Sequence, residues 1–398
     1  MDALREVYEV LNKDKSTYKN SNDEPTPIAC VEEMLSKVPD ELWQRDNLKI
    51  LDPCCGNGNF FVPISFKVPL ECLHFNDINE ARLDNVRRIF GNKAKVTNHD
   101  FLISNMFEEY DMVVANPPYA LFMEDGKRAS KNHNLISKFV EKALSLLKPS
   151  GYLVFITPDN WMSLNRNTLI EKLTSLQLIH LDIHGAKKYF KKIGSSFTWY
   201  VIQNSPSSRD ISVSGVWKGK SYKSSVRSEV RHFIPLVWTS VVQGIVNKTL
   251  DATCPKYNVE TSCDLHRYTK KQLITDTRDA AHPHKLIHTP KQTVWSSQSH
   301  KFQEGFKVFI SLTDVYTTFI DSCGMTQSIA FIRCNSEVDA IETKRHLDHP
   351  LYQFLNNICR WGNFNNVSIL KQLPISTGDP YITFNLTEEE ITYISSHN

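Results

Sequence analysis

Asp111-Met112-Val113-Val114-Ala115-Asn116-Pro117-Pro118-Tyr119 is the stretch on which the reading of the whole chain turns. Met112 to Ala115 is an apolar run of strand length that stops at Asn116. Two consecutive prolines then forbid a continuing ladder or a helix start, because each lacks an N–H and fixes φ. The outcome is a rigid corner at the carboxyl end of a buried strand, where open α/β sheets bind their ligands. Asn116 brings a side-chain amide to that corner, Pro117 a carbonyl and Tyr119 an aromatic plate. Two acceptors beside a plate suit a planar base with an exocyclic amino group, whose N–H bonds are both accepted while its ring stacks.

Upstream, the strand Leu48-Lys49-Ile50-Leu51 runs into Asp52-Pro53-Cys54-Cys55-Gly56-Asn57-Gly58-Asn59-Phe60. An acid at a strand end followed by Gly-x-Gly lets the backbone approach a ligand closely. The third glycine of a dinucleotide fingerprint is missing, and no phosphate-binding lysine follows. A second strand over 72–79 puts Asp77 where an acid can bond ribose hydroxyls. A helix over 80–90 stops at Gly91, and a third strand, 94–97, leads into His99-Asp100-Phe101. Ahead of all these, Thr26-Pro27 opens a helix whose face is Val31, Met34, Leu35 and Val38, with Thr26 expected as its cap.

Downstream, the polar stretch 120–134 reads as a loop lying over the corner. A helix over 135–147, a fifth strand over 152–158, a helix through Leu169 and Leu173, and a strand over 176–183 follow. This alternation across 48–204 predicts an α/β, doubly wound sheet. Lys187, Lys188, Lys191 and Lys192 then interleave with Tyr189, Phe190, Phe197 and Trp199. Positive charge for phosphate beside an aromatic for a base suits an extruded nucleotide. Ser205-Pro206-Ser207-Ser208 reads as a linker dividing 1–204 from an α+β domain over 205–398.

At 398 residues, with 41% hydrophobic and 23% charged residues, the chain has the length and composition of a two-domain globular protein. No apolar run approaches the ~18 residues of a membrane span, and the amphipathic, acid-bearing N-terminus is unlike a signal peptide. A cytoplasmic protein with no membrane partner is therefore expected. Nine scattered cysteines form neither a Cys-x-x-Cys pair nor a metal spacing with histidine, so no metal is expected. Net charge is only +2, yet ten Lys or Arg between 187 and 231 meet only Asp210 and Glu229, a local excess of +8. Nucleic-acid binders carry such a face; a merely solvated surface is the plainer alternative.

Asn116-Pro117-Pro118-Tyr119 after an apolar strand resembles the catalytic motif of the S-adenosylmethionine-dependent amino-methyltransferases that modify adenine N6 in DNA. The segment Asp52-Pro53-x-x-Gly56-x-Gly58-x-Phe60 resembles their cofactor loop. The order of Thr-Pro, cofactor loop and catalytic motif before a large C-terminal domain resembles the gamma class of restriction-modification methylases, with specific motifs over 24–202. The resemblance implies S-adenosyl-L-methionine as cofactor, held by Thr26, Asp52, Pro53, Gly56, Gly58, Asp77, Asp100, Phe101 and Pro118. It implies catalysis by Asn116, Pro117, Pro118 and Tyr119 on a flipped-out adenine clamped between Tyr119 and Phe190. Duplex DNA would be the partner, contacted by Lys187, Lys188, Lys191 and Lys192 and by a target-recognition domain over 205–398. A monomer encoded by a bacterium, phage or large virus, with or without a cognate restriction endonuclease, is expected. An RNA adenine-N6 methyltransferase and a non-catalytic DNA-binding relative are the alternatives, and cytosine N4 presents the same amine.

Overall fold

The computed structural model describes residues 2–14, 24–119, 135–165, 168–191, 194, 196–313 and 315–398. The loop expected over 120–134 and Lys192 lie outside them. Two compact units emerge: residues 1–161 with 167–232, and residues 162–166 with 233–398.

The first unit is built on one nine-stranded sheet. In chain order its strands are β1 (Ile50–Asp52), β2 (Leu73–Asn76), β3 (Lys95–Thr97), β4 (Tyr110–Ala115), β5 (Leu147–Pro158), β6 (Leu176–Ile183), β7 (Phe197–Pro206), β8 (Ile211–Trp217) and β9 (Lys220–Val226). Their spatial order is β3-β2-β1-β4-β5-β7-β6-β8-β9. β1 to β5 pair in parallel, β7 runs antiparallel between β5 and β6, and β8 is parallel to β6. This is a Rossmann-like α/β sheet, parallel from β3 to β5 and mixed beyond. β4 is buried along its whole length, as an apolar run in a parallel sheet covered on both faces should be. Helices α1 (Asp2–Leu11), α2 (Ile28–Leu35), α3 (Phe61–Ile64), α4 (Glu80–Phe90), α5 (Leu135–Ser145) and α6 (Leu169–Ser175) accompany the sheet.

The boundary after residue 204 does not hold. β7 continues to Pro206, and β8 and β9 extend the same sheet, so the unit ends at residue 232. The Ser-Pro-Ser-Ser segment is a pinned turn. The Gln177 side-chain carbonyl accepts the backbone N–H groups of Ser208 and Arg209, each at 2.8 Å.

The second unit is α+β. Its two four-stranded sheets centre on Lys307–Ser311 with Ile329–Arg333, and on His284–Thr289 with Gln292–Ser296. Helices Ser240–Lys248, Glu337–Leu347, Pro350–Ile358 and Glu388–His397 complete it. Residues 162–166 belong here through local bonds. Ile234 N–H donates to the Met162 carbonyl at 2.9 Å, and the Asn366 amide reaches Ser163 Oγ at 2.9 Å and the Leu164 carbonyl at 3.1 Å. No described helix is long and apolar enough to cross a membrane.

Candidate active site

β1, β2 and β4 end side by side at one edge of the sheet, and the loops that follow them form a cleft. Thr26, Asp52, Cys54, Gly56, Asn57, Asn59, Arg82 and Asn116 are among its walls. After β1 the chain turns through Gly56 and Gly58 at φ +56° and +86°, a region open to glycine at no steric cost. A Cβ on Gly58 would also sit 3.0 Å from the Phe75 ring and 3.2 Å from the Tyr8 hydroxyl. Asp77, at the end of β2, accepts the N–H groups of Gly56 and Asn79, each at 2.8 Å. Asp52 is 1% exposed. Its Oδ1 accepts the Cys54 N–H at 3.2 Å, while its buried Oδ2 has no partner among the described residues. Burial, with the Asp77 charge nearby, pushes its carboxyl well above the usual range. Asp52 lines the cleft and Asp77 is buried beside it at Gly56; a cation bound there would draw the Asp52 carboxyl back to its charged form. A sulfonium cofactor with an ammonium group and ribose hydroxyls fits these acceptors.

Asn116 shares this cleft. Its side-chain NH2 donates to Thr26 Oγ1 at 3.1 Å, and its Oδ1 accepts the Tyr119 hydroxyl. Thr26 is thus not the helix cap expected of it. α2 starts at Ile28 with Pro27 at its cap position and no side-chain cap bond, because the threonine hydroxyl is turned to Asn116 instead. Pro117 is buried and Pro118 exposed. The Tyr119 ring packs on Phe197 at 5.7 Å, and Phe190 lies behind Phe197 at 5.2 Å. Phe197, not Phe190, is therefore the direct aromatic neighbour of Tyr119, and Phe190 and Phe197 are 6% and 2% exposed. Asp100 is exposed, its Oδ1 accepting the Leu102 N–H. The Phe101 ring is buried against Phe107 and Phe139 and does not line the cleft.

Pro53 is held by a residue that sequence reasoning missed. Asn76, fully buried at the end of β2, donates to the carbonyls of Pro53 at 2.9 Å and His99 at 3.0 Å. Its Oδ1 accepts the Thr97 hydroxyl and the His99 N–H. One amide thereby fixes the cofactor loop to the loop after β3. The only signal for it was a polar residue closing an apolar strand. Tyr8 was missed too; its hydroxyl donates to the Asn57 carbonyl at 2.6 Å.

Of the expected DNA-contacting lysines, Lys188 is paired with Glu33 at 2.7 Å, Lys187 is half-buried and Lys191 is exposed. Among the described residues no group of three or more His, Cys, Asp or Glu is placed to hold a metal.

Residues 60–190 match the Eco57I restriction-modification methylase family. A Type II methyltransferase, M.VspI of Vibrio sp. (strain 343), is 23% identical over 180 residues, 41% of this chain and 43% of that protein. A second Type II methyltransferase, from Thermus thermophilus, is 32% identical over 89 residues, 18% of this chain and 21% of that protein. The chain spans less than half the length of either. In fold it is similar to DrdV in its DNA complex, at a TM-score of 0.52 and 13% identity, over 93% of this chain and 56% of that one. The first unit is thus a Rossmann-like α/β sheet whose central stretch, residues 60–190, is similar to the restriction-modification methylases.

Proposed function

We propose that the protein is a site-specific DNA methyltransferase acting on the N6 amino group of a flipped-out adenine. One observation carries this reading: the Asn116 amide stands in the same cleft wall as Asp52, Gly56 and Thr26. The acceptor of a base amine and the cofactor loop thus share one cavity.

Bound S-adenosylmethionine supplies an electrophilic methyl group on its sulfonium. Asp77 would accept the ribose hydroxyls, and Asp52 would face the cofactor's positive charge. Asn116 Oδ1 exchanges the Tyr119 hydroxyl for one N–H of the target amine, and the Pro117 carbonyl accepts the other. Both bonds localise the nitrogen lone pair that attacks the methyl carbon. The cofactor would give up its methyl group and keep the electron pair of its C–S bond, and the amine proton would pass to water. Tyr119 supplies the stacking face, supported from behind by Phe197. Orienting the amine against the methyl is the main catalytic contribution of the chain. Lys187 to Lys192 hold flanking phosphates, and the second unit reads the target sequence; the Type II and DNA-bound relatives support duplex DNA as substrate.

Asn116→Ala should retain S-adenosylmethionine binding and lose transfer by about 10²–10³-fold, the usual cost of removing one oriented polar group from such a site. Tritium transfer from methyl-labelled cofactor to duplex DNA, followed by nucleoside chromatography, checks rate and product together. Substantial turnover in the variant removes the assignment of Asn116. Labelled N4-methylcytosine, or transfer to RNA alone, replaces the substrate.

A further inference from the structure

We infer that the β8–β9 hairpin is a second DNA-backbone contact of the catalytic unit, made through its tip Trp217-Lys218-Gly219-Lys220. The inference rests on the duplex-DNA reading above and adds a place and a reach to it.

The positive run between 187 and 231 does not form one face. Arg231 is 2% exposed and paired with Glu229. Arg209 precedes β8 and Arg227 follows β9, so both lie at the amino-end edge of the sheet, away from the cleft. Among the described residues of that run, Lys187, Lys188 and Lys191 after β6, Lys218 and Lys220 at the hairpin tip, and Lys223, level with Asn116, lie at the active edge. The register fixes this. β8 is parallel to β6, which runs in the direction of β4 and β5, so Trp217 ends at the edge where Asn116 ends.

The tip also stands proud of that edge. Gly215 is level with Ile183, Thr198 and Thr157, whereas Ala115 is level with Phe155 and Asn116 with the next residue. In register, Trp217 therefore ends three residues past the level of Asn116, about 10 Å of strand length along β8, whose direction the sheet twist turns away from that of β4. Along the edge, four strand spacings separate β4 from β8, about 19 Å, and β9 lies at about 24 Å. At ~3.4 Å per base pair, that places the tip about six base pairs from the flipped base.

The local chemistry fits a phosphate contact. Lys218 and Gly219 form the two-residue turn at φ +47° and +76°, closed by the Trp217–Lys220 pair. Asparagine or glycine is the unstrained choice for the first position of such a turn, yet a lysine stands there. Its ammonium lies over the Trp217 ring at 4.9 Å, and Lys218 and Lys220 are exposed. Lysines on an edge strand also guard against sheet-to-sheet pairing. Lys223, within β9, fits that role; a lysine in the turn cannot block pairing along the strand.

The test is the full-length double variant Lys218→Gln, Lys220→Gln beside Arg227→Gln at the opposite edge, with duplex affinity measured by fluorescence anisotropy across salt concentrations. S-adenosylmethionine titration serves as the folding check. The double variant should lower the slope of log affinity against log salt by about 1–2, at ~0.9 per phosphate lost, and Arg227→Gln should keep the wild-type slope. Wild type should lose the same increment on duplexes ending fewer than about six base pairs from the target adenine on one side, and the double variant should lose nothing further on them. An unchanged slope in the double variant, or aggregation with wild-type affinity, overturns the hairpin contact and leaves the proposed function standing. Wild-type protein that binds RNA but no duplex DNA overturns the functional reading itself.

Discussion

Asp182, buried near the end of β6, carries the most telling titration in the sheet. Its carboxylate accepts the Ala186 N–H at 3.0 Å and the Ser214 hydroxyl at 2.8 Å, and Ser214 Oγ in turn meets His180 Nε2 at 3.0 Å. Burial lifts the carboxyl from 3.8 to about 6; the Ser214 bond opposes this, the Glu33 charge adds to it, and Lys188 draws it down. The native state therefore binds more protons than the unfolded chain between pH 4 and 6. The stability from this group is fully present below about pH 4 and is lost as pH rises through about 6. Asp182→Asn keeps the acceptor for Ala186 and lets the Ser214–His180 chain reverse its donors. The difference in unfolding free energy, variant minus wild type, should climb with pH across that window, by roughly 3 kcal/mol at most. Denaturant titrations at pH 4, 5, 6 and 7 check this, and a flat difference would mean that Asp182 stays charged throughout. At this scale the sequence was legible where chemistry is local. Asp52, Gly56, Gly58, Asp77 and Asn116 announce themselves through strand ends and turn residues. Asn76 and Tyr8 do not, because their partners lie 23 and 49 residues away. The packing of Phe190 and Phe197 was not legible either, since Phe190, just past the 3-10 turn over 185–188, lies behind Phe197.

Helix α1 shows how an element distant in sequence completes the cofactor loop. Leu4 and Leu11 pack on the first unit's core, Arg5 pairs with Glu32 of α2, and Tyr8 is fully buried with its hydroxyl on the Asn57 carbonyl. The loop is thus held by Asp77 at Gly56 and by Tyr8 at Asn57. Tyr8→Phe leaves that carbonyl unpaired at small cost in packing. S-adenosylmethionine affinity should fall about tenfold, which corresponds to roughly 1.4 kcal/mol. Calorimetric titration checks it; wild-type affinity in a destabilised variant would confine Tyr8 to core packing. Among elements, strands β1 to β6 could be read from apolar runs punctuated by glycine and proline. β8 and β9 could not. Their alternation of Ile211, Val213 and Gly215 with serines is that of a half-buried strand at a sheet's margin, and a serine-rich segment before it has the composition of a linker.

For the whole molecule, the position of the unit boundary has a direct test. A fragment ending at 204 lacks β8, so His180–Ile183 lose the partners Ser212–Gly215 and β6 becomes an open edge. A fragment ending at 232 retains all nine strands. The shorter fragment should aggregate and the longer one stay in solution by light scattering at equal concentration; equal behaviour would return the boundary to the serine-rich turn. Both fragments leave residues 162–166 without the unit they belong to, so the comparison isolates the hairpin. That five-residue excursion bears on inheritance. A gene crossover near residue 232 would trade the C-terminal unit for another while leaving Ser163 and Leu164 behind on the recipient half. The incoming segment would then be accepted only if it brought an amide where Asn366 stands, to meet the Ser163 hydroxyl and the Leu164 carbonyl. Exchange of the C-terminal unit in this architecture is therefore a single cut with one compatibility password, or two cuts with none.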